Sequence, residues 1–510
     1  MMDRPDPFFG YSFLVRTIVF VAIPAFTVFQ YFRLRRALHV FQLEGYKRAR
    51  FLEWCRQNRQ RAWFLRSVPA KKPLVMTGRA QRIIWTATIL PTLLLLGLCA
   101  AAHLAAGAPF DLLTWAVVTV LIFVWTPYVL VAADILLTPV QNAINQKFLR
   151  AARRKLTDVS PLVVGVTGSF GKTSTKFAIE RLIGAPGEAL ATPGSFNTPL
   201  GVCRTINEQL GPQHRFFVVE MGAYGEGEIA ELAHFVQPKV GVLTAIGPAH
   251  LERFGSLEAI RRAKYEIVTS LPDDGVAVMN VDDPIVRELA DSTTGVRVVR
   301  YGIDAEGQPD LTARDIEVTS DGTTMTVVDT RSGETTRATM RLLGRHALGH
   351  VLAGVAVAIE SGRSLQESAS AIARLEPVEH RLQLIESQGG VTVIDDAYNS
   401  NPEGAAAALD VLAAMPGKRK VVVTPGIVEL GPLQESENEE FGRRAARVAD
   451  EVIFVARLNR DALVRGASRD GSTTVTVVDS LDQATARLAE LLRPGDVVLF
   501  ENDLPDQLEG

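Results

Sequence analysis

Residues 162–183 run from strand to turn to helix in a way few chains can. Leu162–Val166 is apolar and mostly β-branched. Thr167-Gly168-Ser169-Phe170-Gly171-Lys172-Thr173-Ser174-Thr175 follows, then a helix-like stretch to Ile183. A glycine-rich turn between a buried strand and a helix presents successive backbone N–H groups and the positive helix end to an anion. On this pattern Gly168, Ser169, Gly171 and Ser174 line a phosphate cradle. Lys172 reaches the outer phosphates, and the Thr173 hydroxyl is placed for Mg²⁺. The spacing departs from the strict G-x4-G-K-[ST] form, since Val166 stands where the first glycine would be.

Two further apolar runs end in polar residues. Phe216–Val219 leads into Glu220, and Val240–Ile246 leads into a loop with His250. A carboxylate or imidazole at the end of a parallel strand is placed to meet a metal or ligand. Strand-like runs alternate with helical ones from Leu162 to about Leu384, with a Thr-rich section, Asp310–Arg341, that fits an antiparallel edge. From Ile385 the alternation restarts with Val391–Ile394, Lys420–Thr424, Glu451–Val455, Thr474–Val478 and Asp496–Phe500. The expected fold class is α/β: a P-loop central domain at 161–384 and a Rossmann-like C-terminal domain at 385–510, preceded by transmembrane helices.

The front of the chain differs in kind. Residues 1–160 hold 21 Lys+Arg against 7 Asp+Glu, a net of +14. The remainder holds 33 against 50, a net of −17. Ile83–Phe110 and Leu112–Ala133 contain no Asp, Glu, Lys or Arg. A bilayer core needs about 20 apolar helical residues, so these runs predict spans near 83–107 and 112–134, with a weaker one near 12–32. The basic loop 33–82 predicts a multi-pass protein of the cytoplasmic membrane, its catalytic domains in the cytoplasm and the loop against membrane lipid. Nucleic acid is not expected as a partner. Three scattered cysteines, Cys55, Cys99 and Cys203, supply neither a disulfide framework nor a four-cysteine zinc site.

Taken in order, the motifs resemble one family. Thr-Gly-Ser-x-Gly-Lys-Thr is followed by Ser195-Phe196-Asn197-Thr198-Pro199-Leu200-Gly201, Glu220-Met-Gly-Ala, Ala249-His250-Leu251-Glu252 and Ala263-Lys264-x-Glu266. Then come Asn280-x-Asp282-Asp283, Glu379-His380-Arg381 and Asp395-Asp396-Ala397-Tyr398-Asn399-Ser400-Asn401-Pro402. This series is similar to the Mur ligases, most of all to the branch adding D-alanyl-D-alanine to a peptidoglycan precursor.

The resemblance implies an ATP-dependent ligase that converts a carboxylate to an acyl phosphate, which an amine then captures as an amide. It implies catalytic roles for Lys172, His250 and Lys264, and two Mg²⁺ sites held by Thr173, Glu220, His250 and a carbamylated Lys264. It implies nucleotide contacts at Asn280 (adenine), Arg381 (phosphate) and Asp396 (ribose), and substrate contacts at Asn197, Thr198, Tyr398 and Asn399. The partners are then a cell-envelope precursor with a carboxylate, and an amino acid or dipeptide amine. A mobile C-terminal domain closes over ATP. Bringing phosphate and carboxylate together demands cations, because two unit charges 4 Å apart repel by about 4 kcal/mol at an effective dielectric of about 20.

Three departures from the family pattern stand out, the first and last of which bear on the substrates. Membrane-like segments stand where the family has a UDP-binding domain, which leaves a lipid-linked donor open. Gly344-Arg345-His346-Ala347 lacks the family's Asn. Near the end, Glu501, Asp503 and Asp506 replace a Lys-Gly-Ser string, which predicts a poorer fit for a dipeptide with a free carboxylate. The alternatives are a membrane-anchored ligase of another envelope polymer, polyglutamate-type included, and an NTP-driven membrane switch without ligation.

Overall fold

The structure, a computed structural model, describes residues 7–66, 73–106, 108–319, 322–342, 344–386, 389–397, 400–455, 458–469 and 473–503. They form two compact units that divide at Gln146/Lys147.

The first unit is helical. Leu34, Leu38, Phe41, Phe51, Phe64, Ile83, Ile84 and Leu130 make its core. Two polar networks interrupt that core, one in which a buried cation is met by hydrogen-bond acceptors and one in which a buried carboxylate is paired. The Arg33 guanidinium donates to the carbonyls of Trp63 and Phe123 and to Gln30 Oε1, and lies over the Phe123 ring at 3.7 Å. Asp134 pairs with Arg48 at 2.7 Å and Arg79 at 2.9 Å.

Of the three expected spans, 83–107 falls on helix Gly78–Ala106, and the other two differ from expectation. Segment 12–32 lies inside one 37-residue helix, Pro7–Leu43. Segment 112–134 is divided between Ala108–Val124 and Thr126–Val159, and the latter helix runs on through the charged residues up to Val159. Among the described residues two helices are long and apolar enough to cross a membrane, Gly78–Ala102 and Thr126–Val159, by length and composition only. A core helix of a soluble protein passes the same test. The basic segment 33–82 is largely helical, and Arg33, Arg48 and Arg79 turn to internal acceptors. The expectation of a multi-pass protein of the cytoplasmic membrane is therefore corrected. For 12–32 and 112–134, freedom from charge in sequence did not mark where the helices end.

The second unit bears out the α/β alternation. Its first sheet has nine strands: β1 (Leu162–Thr167), β2 (Ala189–Ala191), β3 (Phe216–Glu220), β4 (Val240–Leu243), β5 (Val276–Asn280), β6 (Arg297–Tyr301), β7 (Leu311–Thr319), β8 (Gly322–Asp329) and β9 (Thr335–Met340). Their order is β2-β3-β1-β4-β5-β6-β7-β8-β9. The strands from β2 to β7 pair in parallel, and β7–β9 form the antiparallel edge expected of the Thr-rich section. β4 stops at Leu243, three residues short of expectation, because Thr244 turns its N–H and hydroxyl to the Thr167 carbonyl.

Successive strand residues alternate between two cores, as pleating requires. Val164, Val166, Val218, Val242 and Val278 face helices Lys172–Ile183 and His346–Glu360. Val163, Phe217, Val219, Ala277 and Met279 face helices Pro199–Gln209, Glu228–Val236 and Leu257–Thr269. Because β1 lies between β3 and β4, its neighbours' connections leave in opposite directions. That opens a crevice at the carboxyl ends of the strands.

The second sheet begins at Gln383. It holds β10 (Gln383–Glu386), β11 (Thr392–Asp396), β12 (Lys420–Thr424), β13 (Glu451–Val455), β14 (Thr474–Val478) and β15 (Val497–Glu501), ordered β10-β11-β15-β12-β13-β14. All pairs but β10–β11 are parallel. Helices cover both faces.

Gly165, in the middle of β1, leaves no room for a side chain: a Cβ there would lie 2.7 Å from Ile267 Cδ1 and 2.9 Å from Met221 Cε. Gly165→Val should cost about 1–3 kcal/mol through overpacking, read as a lower denaturation midpoint. A midpoint equal to wild type would contradict this packing.

Candidate active site

The turn after β1 is shaped by two glycines. Gly168 has φ 151°, and a Cβ on it would meet Thr244 Oγ1 at 2.0 Å and Ala245 N at 3.0 Å, so no side chain fits. Gly171, at φ 74°, caps helix Lys172–Ile183, and a Cβ there would meet the His350 ring at 2.7 Å. Ser169 locks the turn to the neighbouring loop: its N–H donates to the Ala245 carbonyl at 2.7 Å and its hydroxyl to the Gly247 carbonyl at 3.0 Å. Ser174 lies half-buried in the first turn of the helix.

Lys172 curls back over this turn and donates to the carbonyls of Gly168 at 2.8 Å and Ser169 at 3.1 Å. Burial pushes its ammonium below the ordinary range. The Glu220 carboxylate opposes that shift and the nearby Arg381 charge adds to it. Arg381, from the segment leading into the second sheet, is thus close enough to Lys172 for the two cations to sense each other.

Glu220 ends β3 almost fully buried, 2% exposed, and is met by three side-chain donors. Thr173 Oγ1 donates at 2.9 Å, Lys176 Nζ at 3.1 Å and Asn197 Nδ2 at 3.2 Å. Lys176 was not singled out by sequence, although its spacing four residues after Lys172 puts both on one helix face. A carboxylate beside a hydroxyl at a helix N-terminus is a hard-oxygen pair that suits Mg²⁺, which commonly takes one or two carboxylates together with substrate phosphates. Among the described residues no group of three His, Cys, Asp or Glu side chains gathers as a metal cage. A metal here would therefore lean on phosphate oxygens.

Lys264 lies on helix Leu257–Thr269, 3% exposed. Burial pushes its amine down to about 7, and the Lys172 charge pushes the same way, against Glu228 and Glu266. Glu266 itself accepts from the N–H groups of Gly227 and Ala230 at the start of helix Glu228–Val236. His250, in the left-handed region at φ 56°, pairs through Nδ1 with Glu429, which also binds Arg253 at 2.5 Å. The Tyr224 ring meets the His250 ring edge-on at 5.1 Å. Glu429 comes from the loop after β12 and was also missed.

The remaining expected residues divide by position. Asn280 ends β5 and donates to the Thr244 carbonyl at 2.8 Å. Thr198 caps helix Pro199–Gln209 by accepting from Gly201 N–H. Asp396 ends β11, and burial raises its carboxyl to about 6 against the pull of Arg381 and the Leu382 N–H. Tyr398 and Asn399 lie outside the described residues.

Known proteins match this part of the chain. Residues 166–358 match the Mur ligase middle domain, and residues 380–501 match the Mur ligase glutamate ligase domain. The UDP-N-acetylmuramoyl-tripeptide–D-alanyl-D-alanine ligase of Mycobacterium leprae is 36% identical over 382 residues, covering 70% of this chain and 73% of that one. The enzyme of the same name from Escherichia coli is 35% identical over 296 residues, covering 58% and 64%. Among solved structures, MurF from Acinetobacter baumannii superposes with a TM-score of 0.63 at 27% identity, covering 70% of this chain and 77% of that one. MurF from Thermotoga maritima, solved with ADP, gives 0.61 at 28% identity, covering 70% and 80%. With only two candidate helices among the described residues, kinship to these ligases also overturns the multi-pass membrane location. Phosphate turn, strand-end carboxylate and matches across both sheets lead to one conclusion: the chain belongs to the Mur ligase family of ATP-dependent peptide ligases.

Proposed function

We propose that this chain adds D-alanyl-D-alanine to the carboxylate of a muramoyl tripeptide in peptidoglycan precursor synthesis, at the expense of ATP. The observation that carries this reading is the cluster of Lys172, Thr173 and Glu220 at the carboxyl ends of β1 and β3, with Arg381 brought near Lys172 from the second sheet. The backbone of 168–173 and Lys172 bind the β- and γ-phosphates, while Asn280 and Asp396 hold the adenosine. Thr173 and Glu220 hold Mg²⁺, which supplies charge stabilisation to phosphoryl transfer. The tripeptide carboxylate, brought in by Asn197 and Thr198, attacks the γ-phosphorus and displaces ADP. The dipeptide amine then attacks the acyl carbon, and phosphate leaves with the oxygen it gained.

Lys264 completes the charge arrangement as a carbamate. A neutral lysine amine adds to CO₂ with loss of a proton, and an amine lowered to about 7 is neutral in about half of the molecules at pH 7. The resulting carboxylate and His250 would be the groups to hold a second Mg²⁺. Of the acids near the end of the chain, Glu501 does not oppose the dipeptide. Glu501 is buried, accepts from Ser400 and from Thr424 at 3.1 Å, and is raised to about 8 by burial, so it is uncharged near neutrality.

Lys172→Ala should lower kcat for phosphate release with ATP, UDP-muramoyl tripeptide and D-alanyl-D-alanine by about 10²–10³-fold, with an unchanged circular dichroism spectrum. His250→Ala should do the same. Full turnover by either variant would contradict the assignment.

Carbon-13 NMR with labelled bicarbonate checks Lys264. A carbamate resonance should strengthen as the pH is raised through 7, where the amine loses its proton, and be missing from Lys264→Arg. A wild-type spectrum without that resonance at every pH would show that the lysine stays unmodified.

A further inference from the structure

Lys176 belongs to no motif used above, and its side chain is fully buried, 0% exposed. A buried ammonium persists only when paired and hydrogen-bonded. Its partners come from two different pieces of chain. Nζ lies 3.1 Å from Glu220 Oε2 at the end of β3, and 2.5 Å from the Gly194 carbonyl in the loop 192–198. The Phe177 ring lies 4.4 Å from the same nitrogen.

That loop is otherwise fastened to β3 at its two ends. At one end Thr192 N–H donates to Val218 and its hydroxyl accepts from Glu220 N–H. At the other, Gly222 N–H donates to the Asn197 carbonyl, and Asn197 Nδ2 donates to Glu220. Between them, Gly194 sits in the left-handed region at φ 47°, with nothing within 4 Å of a Cβ placed on it. The Lys176 contact is the described hydrogen bond that holds this mid-point.

We propose that Lys176 is a positioning residue that ties the metal-side carboxylate Glu220 to the loop carrying Asn197 and Thr198, thereby fixing the distance between the nucleotide half-site and the carboxylate-substrate half-site. This rests on the function proposed above. Two consequences follow, of opposite sign. The ammonium offsets part of the charge on Glu220, so removing it strengthens Mg²⁺ binding there. Removing the hydrogen bond to Gly194 frees the loop and weakens binding of the muramoyl substrate. General damage to the fold would weaken both.

The test uses the full chain with Lys176→Met, which removes charge and hydrogen bonds, and Lys176→Gln, which keeps a donor without charge. Binding of N-methylanthraniloyl-ADP is titrated with Mg²⁺, and KM is measured separately for ATP and for UDP-muramoyl tripeptide. Half-saturating Mg²⁺ should fall about threefold or more in both variants. The tripeptide KM should rise about tenfold in Lys176→Met, with ATP KM within about twofold, and return most of the way in Lys176→Gln.

Unchanged Mg²⁺ dependence together with an unchanged tripeptide KM would overturn the proposal. So would ATP and tripeptide KM rising together in both variants. If Lys176→Met does not fold, the Mg²⁺ shift in Lys176→Gln decides. A wild-type protein that binds nucleotide with Mg²⁺ but never turns over the tripeptide would sink the functional reading, while the Mg²⁺ shift would still judge Lys176.

Discussion

A single carboxylate, almost wholly removed from water, organises the catalytic half of this protein. An isolated buried carboxylate is costly enough to take up a proton instead. Glu220 is not isolated: Thr173, Lys176 and Asn197 all donate to it. Those three donors come from the phosphate-loop helix and from the loop beyond β2. Satisfying one charge therefore ties helix Lys172–Ile183 to the loop 192–198. The sheet order supplies the rest: with β1 between β3 and β4, turn and carboxylate open into one crevice.

Cations accumulate around that crevice and destabilise one another. Lys172, Lys264 and Arg381 are close enough that Lys172 lowers Lys264 and Arg381 lowers Lys172. Burial is the larger cause of both shifts, and Glu220, Glu228 and Glu266 oppose them. On the function proposed, triphosphate, substrate carboxylate and a carbamate on Lys264 would bring further negative charge. Glu429, from the loop after β12, pairs with His250 and Arg253.

Much of this was legible in the chain itself. The apolar strand, two turn glycines and Lys-Thr located the phosphate loop because backbone geometry leaves few residues free to vary. Strand alternation and the antiparallel Thr-rich edge were equally clear, since period-two burial writes itself into sequence. Lys176 was not, because a lysine on an amphipathic helix ordinarily faces water, and only the approach of β3 and the loop 192–198 shows where this one points. Glu429 needed the second sheet in place beside the first. The front of the chain misled for another reason. Charge-free runs report composition, whereas the helix boundary at Trp125 and the continuation of Thr126–Val159 into charged residues depend on local geometry that composition does not encode.

The central claim is that ATP activates a carboxylate by phosphorylating it, and oxygen transfer tests this most directly. UDP-muramoyl tripeptide labelled with oxygen-18 in its reacting carboxylate is turned over with ATP and D-alanyl-D-alanine, and the released phosphate is examined by mass spectrometry. One labelled oxygen should appear in phosphate for each amide formed. Phosphate released without label would contradict the account.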